Sequence, residues 1–463
     1  MEIDRRQFVH LGSLITAGLI LPGAAAAAPP SSPSQGSSLL IQNATVITMD
    51  PKLGDLEGFD VLIMNGTIRE IGKSLPAAGS EVLDGAGMIV LPGMIDTHWH
   101  LWNSLLRSSA PIPGGPAFFE TQQRTSKRFT PALTELSVRL GLAEAINAGF
   151  TTVNSWSHNI RSPEFAQAEL KALAASGIGA RLWYGYAQDL PQTSPMDFAD
   201  IQRVSEHIQQ TARGRLDLGL AVRGPERTGP EIWIEEFEFA AKHSLPISTH
   251  IAVTKQMQKK RAIQQLASRS LLLPKVQLVH ATHADQQDLE SIRESGASVC
   301  LTPLTEMRVG YGLPPVAALH LAKLPVSLGV DTLVLGGNAN PFMLMQTCLN
   351  LAIATTGDEQ TMTARDVLHW ATQGAADIMG WGDKTGSITV GKRADMIMIN
   401  ARNIGMFPVI DPAATIVQSA SPADVTNVIA NGRLVKRDGV LLGLDLHALA
   451  EEAREGVRHL LKS

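Results

Sequence analysis

Between about Gly93 and Gly380 the chain alternates short, almost unbroken apolar runs with longer amphipathic stretches. Thr151 to Val153, Ala180 to Trp183, Leu218 to Val222, Pro246 to Thr249, Val276 to Val279, Ala297 to Leu301 and Val326 to Leu328 read as strands. Pro131 to Ala148, Pro163 to Ser176, Ile232 to His243 and Gln286 to Ser295 read as helices. Strands without a polar face must be covered on both sides, which predicts a buried parallel sheet with helical crossovers. Eight such units close an α/β fold of the TIM, or (β/α)₈, barrel type over residues 93–380. A doubly wound open sheet satisfies the same periodicity.

The flanks follow another rhythm. Leu39 to Ile47, Val61 to Met64 and Ile68 to Ile71 alternate in the manner of strands, with Asn65-Gly66 at a hairpin turn. Ala394 to Ile399, Val425 to Ile429 and Leu434-Val435 repeat that grammar around Asn431-Gly432. Residues 39–92 and 381–443 are therefore expected to form one small composite β-sandwich domain, followed by a C-terminal helix over 444–463.

The first residues stand apart from both patterns. Asp4-Arg5-Arg6-Gln7-Phe8, an apolar stretch from Leu11 to Leu21 and an alanine run to Ala28 have the layout of an export signal. The paired arginines point to a twin-arginine signal peptide over 1–28, and so to a periplasmic or secreted protein. Residues 29–38, rich in Pro and Ser, read as a linker. No later stretch is long and apolar enough for a membrane span.

Composition adds limits rather than identity. The 463 residues are 44% hydrophobic and 18% charged, with a net charge of −5, which suits a globular protein and gives no sign of nucleic-acid binding. Cys300 and Cys348 fit no metal or redox spacing. Cys300 reads as a buried, inert thiol, and one bridge between the two is left open.

The chemistry concentrates at strand ends. His98 and His100 lie two residues apart at the end of an apolar run, so both point to one face while Trp99 points to the other. His250, His280 and Asp331 each close a further β-run. Any one of these residues would ordinarily be a cap or a satisfied polar group. Five of them ending four separate runs, where barrels carry their active sites, point to a metal centre.

Pro92-Gly93-Met94-Ile95-Asp96-Thr97-His98-Trp99-His100, Leu105-Leu106-Arg107, Ala148 to Val153, Leu328-Gly329-Val330-Asp331, Gly386-Ser387-Ile388, Gly391 to Asp395 and Asn431-Gly432-Arg433 together resemble the amidohydrolase superfamily. The likeness is to its aminohydrolase and chlorohydrolase branch, which includes guanine deaminase, S-adenosylhomocysteine deaminase and triazine hydrolases. The resemblance implies one divalent ion, Zn²⁺ with Fe²⁺ or Mn²⁺ as alternatives, held by His98, His100, His250 and Asp331. It implies that such an ion turns a water into the nucleophile, that Asp331 carries its proton, and that His280 polarises the bond attacked. The substrate is then a small molecule, and a homo-oligomer is compatible with the pattern.

Two departures shape the expected reaction. The fourth strand, Leu216 to Arg223, has no lysine to bridge a second metal. Position 253, where deaminating relatives carry a proton-shuttling glutamate, is valine. The expectation is hydrolysis of a non-peptide carbon–nitrogen bond of amide, lactam or urea type. Ring deamination or dechlorination is the first alternative and a non-catalytic scaffold the second. Loop positions make Trp102, Arg107, Trp156, His158, Tyr184, Tyr186, Arg223 and Glu306 substrate-binding candidates, each equally readable as packing or a solvated loop. His283 is a candidate for supporting the metal ligands. His207, His243, His320, His369, His447 and His459 fall in helical stretches and carry no chemistry in this reading.

Overall fold

The computed structural model describes residues 38–111, 115, 117–211 and 214–461. The proposed signal peptide and nearly all of the linker lie outside them.

Eight parallel strands follow one another in sequence order: β1 (Met94–Trp99), β2 (Phe150–Ser157), β3 (Gly179–Tyr184), β4 (Leu216–Ala221), β5 (Ile247–Ile251), β6 (Val276–His280), β7 (Ser298–Leu301) and β8 (Val326–Leu328). A parallel bridge between Trp99 and Asp331 joins the last strand to the first and makes the circle a barrel, which excludes the open sheet. Helices between the strands bury their apolar faces against them, as in Pro131–Ala148 and Pro163–Ala175. Pro131–Ala148 begins where Thr130 accepts a hydrogen bond from the Leu133 N–H, and stops at Gly149, whose φ of 97° ends the helical turn.

The two flanks meet in a second sheet of nine strands. Met88–Pro92 pairs in parallel with Ser38–Ile47 on one side and antiparallel with Met396–Asn400 on the other. The two hairpin turns also touch. Asn65, Gly66, Asn431 and Gly432 all have positive φ, and a Cβ built on Gly432 would lie 2.2 Å from the Gly66 Cα. Strands Glu81–Asp84 and Met88–Pro92 were not separated by the sequence pattern. The C-terminal helix, Leu446–Leu461, lies across Pro131–Ala148, where Arg139 pairs with Glu452. Cys300 and Cys348 are both buried and free. No helix among the described residues is long and apolar enough to cross a membrane.

Candidate active site

The site is assembled where β1 and β8 meet. Strand alternation sends His98 and His100 to the same side, and Trp99 packs the other way against Phe150. The Asp331 N–H donates to the His98 carbonyl at 2.8 Å, and the His100 N–H donates to the Asp331 carbonyl at 2.6 Å. Asp96, fully buried, locks the same junction. One of its oxygens accepts from the His98 N–H at 3.0 Å, and the other accepts from the Val330 N–H at 2.6 Å. Burial pushes this carboxyl up to about 8, against the pull of the two N–H donors. Gly329 lets the strands approach, since a Cβ there would meet the His98 carbonyl oxygen at 2.6 Å. Asp331 and His280 turn into the site with φ of 64° and 72°, a strained backbone for residues with a side chain.

The Nε2 atoms of His98 and His250 stand 3.2 Å apart, and Asp331 Oδ1 lies 3.5 Å from His98 Nε2 and 3.1 Å from His100 Nε2. One ligand atom from each of the four residues falls within 4.8 Å of all the others. Nδ1 of His100 faces the Trp156 carbonyl at 2.8 Å, and since a carbonyl only accepts, the proton sits on Nδ1 and the Nε2 lone pair faces the cluster. Burial pushes His98 down to about 3, and removal from water together with the neighbouring rings holds His250 well below 6.5. Burial alone would raise the Asp331 carboxyl, but whenever His100 or His98 carries a proton on the nitrogen facing it, that ring's hydrogen bond and charge outweigh burial and hold it well below 3.8. Neutral imidazole lone pairs and a carboxylate here converge from three sides on one point. The donor set fits a divalent ion with nitrogen and oxygen ligands.

His280 stands beside this group, its Nε2 4.0 Å from Asp331 Oδ2. Its Nδ1 lies 3.1 Å from Glu306 Oε1 and 3.1 Å from the Thr302 hydroxyl, which is itself 3.3 Å from Asp331 Oδ2. A buried path of polar atoms thus links Glu306 to Asp331.

His100, His250, His280 and Asp331 open onto a cavity of about 410 Å³. Of the other sequence candidates, His158, Tyr186 and Arg223 also line it. His158 accepts from the Trp102 indole N–H at 3.1 Å, and burial holds it well below 6.5, so it is a neutral wall group. Arg223 is buried, and its guanidinium is committed to the carbonyls of Leu190, Pro191 and Ser194 and to Glu236. Trp156 packs its ring on His250 and donates to Ser248, so it supports the histidines from behind. Tyr184 turns away to Asp200, and Arg107 turns outward to Glu144 and the Gly337 carbonyl. Glu306 is reached only through His280 and Thr302. His283 holds the Tyr311 carbonyl at 2.8 Å and does not join the ligand cluster. The cavity also takes Gln122, Gln188, Gln192, Arg227, Thr305 and Tyr311, none of which stood out in the sequence. Only Arg227 carried a signal, as a charged residue in the loop after β4.

The family model for the amidohydrolase family matches residues 89–435. The chain belongs to the amidohydrolase family. It is therefore a metal-dependent hydrolase acting on carbon–nitrogen bonds other than peptide bonds. Among curated relatives, it is 27% identical to a 5'-deoxyadenosine deaminase of Methanosarcina mazei, over 92% of this chain and 99% of that one. It is 28% identical to an 8-oxoguanine deaminase of Pseudomonas aeruginosa, over 87% of this chain and 94% of that one. Among solved structures, an adenosine deaminase from Xanthomonas campestris with bound zinc superposes with a TM-score of 0.82 at 22% identity, covering 92% of this chain and 99% of that one. The zinc complex of an atrazine chlorohydrolase from Arthrobacter aurescens gives 0.78 at 22% identity, covering 90% and 100%. At such identities these two show that the fold is shared.

Proposed function

We propose that this amidohydrolase binds one zinc ion through His98, His100, His250 and Asp331 and hydrolyses an amide, lactam or urea bond of a small molecule. A divalent ion held there supplies Lewis acidity and brings the pKa of a coordinated water toward neutrality. The chain's own groups do the rest. Asp331, with Oδ1 toward the histidines and Oδ2 toward His280, is placed to take a proton from the attacking water and return it to the departing nitrogen. His280 presents Nε2 to the cavity while Glu306 and Thr302 hold its Nδ1, so that the doubly protonated ring would donate from Nε2 to the oxygen on which charge develops.

One observation carries the choice of bond. Among the described residues lining the cavity, Asp331 is the only carboxylate, and at position 253, where the family resemblance implies a glutamate in deaminating members, the chain has a buried valine. Acyl transfer can run on Asp331 and His280 alone. Protonating a ring nitrogen needs a further acid. The deaminase names of the curated relatives favour a second reading, release of ammonia from a ring, with Glu306 serving as that acid through His280.

The zinc-loaded protein should be assayed against amides, lactams, ureas and aminated heterocycles. Amine or acid products without ammonia from rings support the first reading, and efficient ring deamination replaces it with the second. We further propose export in folded form by the twin-arginine route. Arg5→Lys with Arg6→Lys should retain the precursor in the cytoplasm, and undiminished export would refute this.

A further inference from the structure

One cation in the cavity forms no ion pair among the described residues. Arg227 is half-buried on the cavity wall, and one of its N–H groups donates to the His250 carbonyl at 3.1 Å. No described carboxylate lies within ion-pairing distance of it. The neighbouring Glu226 makes no ion pair with it and instead accepts from the Ala252 N–H at 2.7 Å. Arg223, by contrast, has its charge matched by Glu236, and both its terminal nitrogens are held by loop carbonyls, as described above. A guanidinium offers five donors, and a partly desolvated one with a single acceptor is an incomplete site.

A second observation points the same way. Gln122, from helix Phe118–Ser126, also lines the cavity, and it is only 4% exposed. Neither the nitrogen nor the oxygen of its side-chain amide has a hydrogen-bond partner among the described residues. Buried amides are nearly always paired, so one left open beside a cavity is a mark of a missing ligand.

We propose that Arg227 anchors an oxyanion on the substrate, a carboxylate first among them, while Gln122 pairs with a neutral polar group of the same molecule. The substrate class is then a small amide, lactam or urea that carries an acidic substituent away from the bond being cut. This rests on the hydrolytic reading of the cavity above. Planar carboxylates match the guanidinium fork in two-point contact, and the surrounding Tyr186, Gln188 and Gln192 suit a compact polar body.

The test uses binding rather than turnover. Benzoate, benzenesulfonate and benzamide are titrated calorimetrically into the zinc-loaded full chain, and into Arg227→Gln, Arg227→Lys and Gln122→Leu. Benzenesulfonate is included because it is a weak ligand for metals. We expect both anions to bind about tenfold or more tighter than benzamide to the wild type, the range of a charge-assisted hydrogen bond. Arg227→Gln should lose that preference with zinc content and benzamide affinity unchanged, and Arg227→Lys should keep part of it. Gln122→Leu should keep the anion preference and weaken benzamide. If Arg227→Gln binds both anions as tightly as the wild type, they sit on the metal and the proposal fails. It fails equally if the wild type does not prefer anions. Anion binding through Arg227 in a protein that cleaves no amide would leave this site standing and remove the proposed reaction. Amide cleavage indifferent to substrate charge and to Arg227 would do the reverse.

Discussion

Nδ1 of His280 lies 3.1 Å from Oε1 of Glu306, a carboxylate behind the cavity wall with its other oxygen buried and without a partner. A carboxylate at this place holds the ring proton on Nδ1 and fixes which nitrogen faces the reaction. Glu306→Gln should keep the metal and the fold but lower kcat about tenfold to a hundredfold, with a displaced pH profile. A purely structural role would leave the shape of that profile unchanged.

His280 and the ligands should separate cleanly. His280→Ala is expected to retain zinc while turnover falls on the order of 10² to 10⁴. His98→Ala or His250→Ala should lose metal and activity together, since a four-residue site has no spare ligand. Elemental analysis decides between them. Two equivalents of zinc per wild-type chain would refute a single-ion centre.

Asp96 does not line the active-site cavity, yet its loss should be felt at the proposed metal site. Asp96→Ala strands the buried N–H groups of His98 and Val330, at about 1–3 kcal/mol each. Gly329→Ala forces apart the same strands. Both variants should unfold at lower urea and release zinc to a chelator faster than the wild type. Unaltered release by either would mean the junction does not position the ligands.

Burial pushes Glu169, which accepts from the Ser155 hydroxyl, up to about 7 from an ordinary value near 4.5. Between those values the folded chain holds a proton that the unfolded chain has lost. This contribution to stability is full below pH 4.5 and disappears as pH rises through 7. Glu169→Gln keeps the acceptor without the charge. It should stabilise the protein at pH 8 by roughly 2–4 kcal/mol and leave it little changed at pH 4.5. A pH-independent effect in urea titrations would contradict the assignment.

Much of this molecule is legible in its sequence. Pro131–Ala148 and Gln286–Ser295 are bounded by caps written into the sequence, Thr130 with Gly149 and Asp285 with Gly296. The ligand histidines were visible because each ends an apolar run. Arg107 belongs to the family motif but faces Glu144, because motif membership carries no direction for a long side chain. Glu81–Asp84 was missed because only Val82 and Leu83 are apolar there. Arg227 and Gln122 became distinctive only through what fails to surround them, and absence of a partner is a property of tertiary structure.

The strand Met88–Pro92 sits between Ser38–Ile47, already made when it emerges, and Met396–Asn400, which leaves the ribosome only after the whole barrel. Through most of synthesis its second edge therefore has no partner, and Gly93 alone separates it from Met94–Trp99, the strand that carries His98 and leads into His100. Pairing across so long a loop is slow to form. A chain truncated before residue 396 would keep an open edge of the kind prone to aggregate, next to the strand that carries His98.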